Sequence, residues 1–263
     1  MPKSVSFNSF SLQDSSWRTK DIIYRNYPAR TIDLEPLSRR DGFRFVNSYY
    51  TMKEIRVAGS VTADTEAELR TLLDNMKKAL NATEQTLIID DGGTNVQWTA
   101  SVASIEIPEE HFHITRVPFQ IIFRCHPFGE ATSSSSNTNS ITNTASETNS
   151  VVIAGSAAPR PVITWTVSGT PSSAITGITF VNNTTSDTFS VTGLSLVGNG
   201  DYLELDTDNM TVVYNTGSGE VATDFTGVIP TFTTSTNSYT LSLVGGGASK
   251  TVIQSIVYSA SYL

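Results

Sequence analysis

The chain of 263 residues is long enough for one large or two ordinary domains, and with 38% apolar residues and no run of spanning length it predicts no membrane insertion. The single cysteine, Cys125, excludes an intramolecular disulfide and any multi-cysteine metal site, and suits folding in a reducing compartment. The net charge of −8 is uneven: residues 1–130 hold 15 Lys/Arg against 17 Asp/Glu, and residues 131–263 hold 2 against 8, so the second half offers no phosphate-binding surface.

The opening, MPKSVSFNSF, has one lysine and no continuous apolar stretch behind it, and reads as no signal peptide. Residues 4–12 alternate apolar and polar, which predicts a first strand. Residues 17–37, with Ile22, Ile23, Ile32 and Leu34, predict strands or a long arm joined by turns. Asp41-Gly42 is a turn signal ahead of the aromatic run 43–50. Residues 52–61 alternate again and predict a strand that leads directly into a helix.

That helix is the one long helical pattern in the chain. Leu69, Leu72, Leu73, Met76 and Leu80 form a single apolar stripe. Thr65 and Glu68 have capping-box spacing, with Asp64 a rival N-cap, and Lys77 and Lys78 suit the negative end of the helix dipole. A helix with one apolar stripe requires a sheet to cover. Residues 86–89 predict a short buried strand, Asp90-Asp91-Gly92-Gly93 a hairpin turn, and 96–107 a returning strand with a bulge at Ala103-Ser104. Residues 112–123 predict a last strand pair, with Pro118 at an edge or bend.

Of residues 131–150, 16 of 20 are Ser, Thr or Asn. Such a tract has little to bury against the entropy of ordering it, so it reads as a linker; a polar loop laid on an assembly partner is the alternative. Beyond it, eight short strands alternate with glycine-rich turns, which argues for an antiparallel sandwich of the jelly-roll sort. The fold class is mainly β: an N-terminal β-sandwich or barrel with one helix over 1–130, a linker over 131–150, and a C-terminal sandwich over 151–263.

No group of residues makes a catalytic constellation, and the sequence reads as no enzyme. His111 and His113 would share a strand face beside Glu109 and Glu110, but no third metal ligand is evident, and a solvated strand end is the better account. Cys125 and His126 are adjacent, so on a strand they point to opposite faces; Cys125 reads as a small buried hydrophobe. Asp201, Glu204, Asp206 and Asp208 form the sharpest acidic cluster, yet lack the glycine and distal glutamate of a calcium loop and read as turn formers. Gly245-Gly246-Gly247 has no Lys-Ser/Thr in register and opens no helix, so it is no phosphate loop. Asn-x-Thr triplets at Asn81, Asn182, Asn183 and Asn209 matter only in a glycosylating pathway.

Taken in order, these features resemble the distal tail protein (Dit) family of long-tailed bacteriophages. The resemblance rests on Phe7-Asn8, Pro28-Ala29-Arg30, Asp41-Gly42, the strand IRVAGSV with the helix AELRTLLDNMKKAL, the hairpin LIIDDGGTNVQWTASV and the closing FRCHPFG. In the second half it rests on VVIAGSAAPRPVITWTVSG, GDYLELDTDNMTVVYN, GVIPTF, the strand around Asn237 and the terminal Tyr258 and Tyr262. The long polar tract, and Thr236-Asn237 in place of a Gly-Asn pair, depart from the family pattern.

The resemblance implies a tail-tube-like β-sandwich with a helix and an extended hairpin, followed by a galectin-like β-sandwich. It further implies a homo-hexameric ring in the distal tail of the virion, assembled in the host cytoplasm. The ring's partners are the tail-tube protein, the hub proteins of the tail tip or baseplate, and receptor-binding proteins, with DNA only as passing cargo. It implies no cofactor, no metal and no catalytic residue. Two other readings are a carbohydrate-binding or host-adsorption module in the C-terminal sandwich, and a tail-tube subunit with a decorative domain.

Overall fold

The computed structural model describes residues 4–37, 40–90, 92–93, 95–108, 115–247 and 249–263. The chain divides into two compact units, residues 1–132 with 262–263, and residues 133–261.

The first unit runs β1 (Ser4–Phe7), β2 (Phe10–Ser11), β3 (Trp17–Ile23), β4 (Arg30–Pro36), β5 (Phe43–Tyr50), β6 (Lys53–Thr62), α1 (Glu66–Leu80), β7 (Gln85–Asp90), β8 (Val96–Glu106) and β9 (Arg116–Cys125). It closes with the start of β10 (Gly129–Thr142). Hydrogen bonding joins these antiparallel strands in the order β2-β1-β7-β8-β9-β6-β3, with the first residues of β10 also on β8. Strict alternation along β6 and β9 places Ile55, Val57, Val61, Val117, Phe119, Ile121 and Phe123 inside. The stripe of α1 (Leu69, Leu73, Met76 and Leu80) is buried in the same core, with Leu72 half-buried at its margin.

The cap of α1 is built almost as its spacing predicts. Thr65 is the N-cap, and its Oγ1 accepts from the amide of Glu68 at 3.2 Å. The reciprocal arm reaches one residue further back than the capping-box pattern, because the Glu68 carboxylate accepts from the amide of Asp64 at 3.1 Å. The bulge in β8 falls at the predicted place, between Val102 and Ser104. Pro118 lies in β9 opposite Ser60, beyond the last pair with β8 (Glu106 and Gln120), so one side of the strand is free of ladder bonds where proline has no N–H to give. Of the predicted last strand pair, residues 112–114 lie outside the described residues, as do His111 and His113 with the rest of 109–114.

The second unit holds the rest of β10 and β11 (Ser146–Val152), β12 (Val162–Val167), β13 (Ile175–Asn182), β14 (Asp187–Leu196), β15 (Tyr202–Asp206), β16 (Thr211–Asn215), β17 (Glu220–Ala222), β18 (Thr226–Gly227), β19 (Thr236–Gly245) and β20 (Thr251–Tyr262). One sheet runs β17-β16-β15-β12-β20-β10, the other β11-β19-β13-β14-β18. Trp165, Phe180, Phe189, Leu203, Leu241 and Ile256 fill the core between them. This is an antiparallel sandwich, and the chain as a whole is mainly β with one helix among the described residues.

The Ser/Thr/Asn tract is not a linker. Residues 129–142 and 146–152 are strands, joined by a turn in which Asn143 takes φ 56°. The reason is that the ladder uses backbone groups, which every residue carries. β11 pairs with β19 through seven consecutive positions, from Ser146 opposite Ser242 to Val152 opposite Thr236. Ile141 and Val151 supply apolar anchors, and hydroxyls satisfy one another across the strands, as between Thr148 and Thr240 at 2.9 Å. The boundary between the units falls inside β10, not beyond a flexible segment.

Candidate assembly surfaces

The sequence-level candidates for chemistry resolve into structural roles. Asp206 braces a turn: Oδ1 accepts from the amides of Asp208 and Asn209, and Oδ2 from the Asn209 side chain. Burial raises its pKa, but those bonds outweigh it and leave the carboxyl below its ordinary value. Asp208 pairs with Arg160. Asp201 is buried and accepts from the amides of Val197 and Gly198. Glu204 accepts from the Thr164 hydroxyl across the sheet. The three glycines that close and follow β19 all take positive φ (86°, 82° and 65°) in a turn fastened by the Lys250 ammonium, which donates to the Gly245 carbonyl at 2.9 Å. Cys125 is buried and His126 exposed, on opposite faces of the strand end. Burial pushes the Cys125 thiol up to about 12, the reverse of an activated nucleophile.

What stands out instead is a projecting hairpin. β4 and β5 pair only with each other, from Arg30 opposite Tyr50 to Pro36 opposite Phe43, with one bulge at Asp33/Leu34. At its base the amide of Ala29 donates to Met52 and that of Thr51 to Ala29, and Tyr50 packs edge-on to Phe128. Along one face lie Leu34, Pro36, Phe43 and Phe45. Phe43 is 67% exposed, Phe45 59% and Leu34 54%. The other face carries the Arg44–Glu35 ion pair at 2.9 Å; Arg30, nearer the base and on the same side of β4 as Leu34 and Pro36, donates to Ser48 and lies over the Tyr50 ring. A two-stranded ribbon is marginal in water by itself, and an apolar face of this kind marks a contact surface. The aromatic run 43–50 is legible as a strand in the sequence; its exposure is not, since alternation does not say which side is covered.

A second surface is defined by what it lacks. On the outer side of the β11-β19-β13-β14-β18 sheet, Ser146, Ser242, Thr179, Ser190 and Thr226 form a row of hydroxyl residues across all five strands. Ser242 donates to Ser146 at 3.1 Å, and Thr179 and Ser190 are 2.9 Å apart. The next row holds Thr148, Thr240, Val181 and Thr188. No charged or aromatic side chain stands in either row. Trp165, the one tryptophan of this unit, is wholly buried in the core.

Sequence reasoning missed Lys53. It takes an inward position of β6 opposite Cys125, is 1% exposed, and its ammonium has no hydrogen-bond partner. It lies 5.5 Å from the centre of the Trp98 ring, which sits against the backbone of Gly129; a Cβ there would come within 2.3 Å of the indole. Burial lowers the lysine pKa, partly opposed by Cys125.

Residues 6–125 match the family described as phage tail protein RIFT-related domain. No curated protein matches the chain by sequence. Among solved structures, the Dit protein of phage SPP1, described as a paradigm of the hub adsorption apparatus in phages infecting Gram-positive bacteria, is similar at 14% identity. The similarity covers 100% of both chains with a TM-score of 0.71. Two structures of the phage p2 baseplate in its activated conformation, with Ca and with Sr, contain chains matched at 10% and 9% identity. They cover 96% of this chain and 97% of theirs at a TM-score of 0.43, too low to carry an argument. The family match thus falls within the first unit. The chain as a whole has the fold of a distal tail (Dit) protein, as the resemblance in the sequence leads one to expect.

Proposed function

We propose that this protein is a structural hub of the phage tail tip, a homo-hexameric ring that joins the tail tube to the tip or baseplate proteins and lets DNA pass through its lumen. In this reading the first unit forms the ring and the second meets hub or receptor-binding proteins. The observation that carries it is the β4–β5 hairpin, whose apolar face has no cover among the described residues. A neighbouring subunit supplies that cover, and a closed ring covers every copy alike. The Dit fold of the whole chain supports the same reading.

The role is structural, not catalytic, and the protein resides in the distal tail after assembly in the host cytoplasm. A DNA passage avoids strong cationic contacts, which would hold the polymer back. Arg44, Arg56 and Arg70 of the first unit each lie within 3 Å of a carboxylate, in keeping with this. Labelling the chain and imaging intact tails tests the proposal. Label at the junction of tube and tip supports it, and label along the whole tube favours a tube subunit instead. Among the described residues, neither hydroxyl row on the β11-β19-β13-β14-β18 sheet carries an aromatic side chain on which a sugar could stack.

A further inference from the structure

Four side-chain polar atoms described in the second unit are buried without a hydrogen-bond partner in the protein. The atoms are Trp165 Nε1, Gln254 Nε2 and Oε1, and Asn149 Nδ2. Trp165 on β12 and Gln254 on β20 are register partners in one sheet. Asn149 on β11 and Tyr239 on β19 are register partners in the other. The sheets meet here through aromatic rings, with Phe180 5.9 Å from Trp165 and 5.2 Å from Tyr239. The Tyr239 hydroxyl accepts from Asn139 at 2.5 Å, and Asn139 also donates to Asn137 at 2.7 Å. Gln254 lies close enough to the Tyr239 hydroxyl to act on its ionisation, while its own amide makes no aligned hydrogen bond.

From this arrangement we infer that the core of the second unit is a binding site for ordered water, held between Trp165 and Gln254. The inference goes beyond the hub reading and does not depend on it. The donor and acceptor count selects the ligand. The Trp165 indole and Gln254 Nε2 need an acceptor, and Gln254 Oε1 needs a donor. A cation would meet the two N–H donors, and an anion would meet the amide oxygen. Water both accepts and donates, and buried polar groups without protein partners are its usual ligands. Exchanging the oxygen and nitrogen of Gln254 does not remove the need, because both ends are unpartnered.

The site also gives the polar tract something to fold onto. Asn137, Asn139 and Asn149 come from β10 and β11, and their amides meet a polar interior where an apolar one would reject them. Water extends that network to the far sheet through Gln254 and Trp165.

The test uses the full chain, in a crystal diffracting to about 1.5 Å and in solution. A water peak is expected within about 2.7–3.1 Å of both Trp165 Nε1 and Gln254 Oε1. A direct Trp165–Gln254 hydrogen bond with no peak, or a Gln254 turned out to solvent, overturns the inference. In solution, the indole proton assigned by Trp165→Phe should show cross-relaxation with water in NMR, also in a Tyr239→Phe background that removes hydroxyl relay. Gln254→Leu should abolish that signal with the remaining spectrum unchanged. If Gln254→Leu fails to fold, the wild-type indole signal decides alone: its absence overturns the inference.

Discussion

Phe45 and Leu34 face each other across the β4–β5 hairpin, and both remain more than half exposed. Neither contributes to a core in the single chain, so replacing either with a charge removes a contact that only a neighbour can make. Phe45→Asp and Leu34→Asp should leave the melting temperature of the isolated chain within about 2 °C of wild type, since exposed positions contribute little to folding. Both should convert rings to single chains, as read by light scattering. A ring that survives both substitutions removes the hairpin from the interface.

The opposite behaviour is expected on α1. Leu73 is buried in the first core, and Leu73→Asp places a carboxylate there at a cost of about 3–5 kcal/mol, enough to lose soluble protein. Glu66 and Arg70 pair one turn apart on the exposed side at 2.6 Å, and breaking such a pair costs at most about 0.5 kcal/mol. Expression and thermal melting of the two variants should therefore diverge sharply. A soluble Leu73→Asp ring would mean the stripe is misplaced.

Lys53 predicts a gain. Its folded pKa lies below its unfolded value because burial disfavours the ammonium, so the folded state is penalised at low pH. The penalty lifts as pH rises through the folded pKa toward the unfolded 10.5. Lys53→Met should raise the melting temperature by several degrees near neutral pH and flatten its rise with pH. Cys125 acts with the other sign. Its raised pKa gives stability present below about 9 that is lost toward about 12, so the lysine is read in melts kept below about pH 9. A Lys53→Met protein less stable than wild type would show that the ammonium–indole contact outweighs desolvation.

The polar tract makes a prediction that separates strand from linker. Broad-specificity proteolysis should spare residues 133–150, because cleavage requires the backbone that β11 commits to β19. Fragments mapped by mass should first report cuts elsewhere. Early cleavage between Ser133 and Ser146 would restore the linker.

The tract also shows where a single sequence stops being informative. The helix, its Thr65 cap, the bulge at Val102/Ser104 and the alternation of β6 and β9 are written in residues a few positions apart, and periodicity reads them. Thr148 meets Thr240 and Asn139 meets Tyr239, about a hundred residues away, and nothing local announces either partner. A segment with almost nothing to bury looks disordered until its partner strand is known. Lys53 misleads in the other direction, since a lysine in an alternating strand is read as facing water. The candidate surface was half legible. The aromatic run 43–50 marks a strand, but only the pairing of β4 with β5 alone shows that its apolar side stands free. The acidic cluster was legible as turn chemistry, because aspartates followed closely by backbone amides brace turns by a local rule.

The central claim is a ring, and the mass of the pure full-length chain in solution tests it most directly. Native mass spectrometry across a wide concentration range should give a species of six times the 28.4 kDa chain. A single-chain mass at every concentration, unchanged when the tail-tube protein is added, would contradict the account.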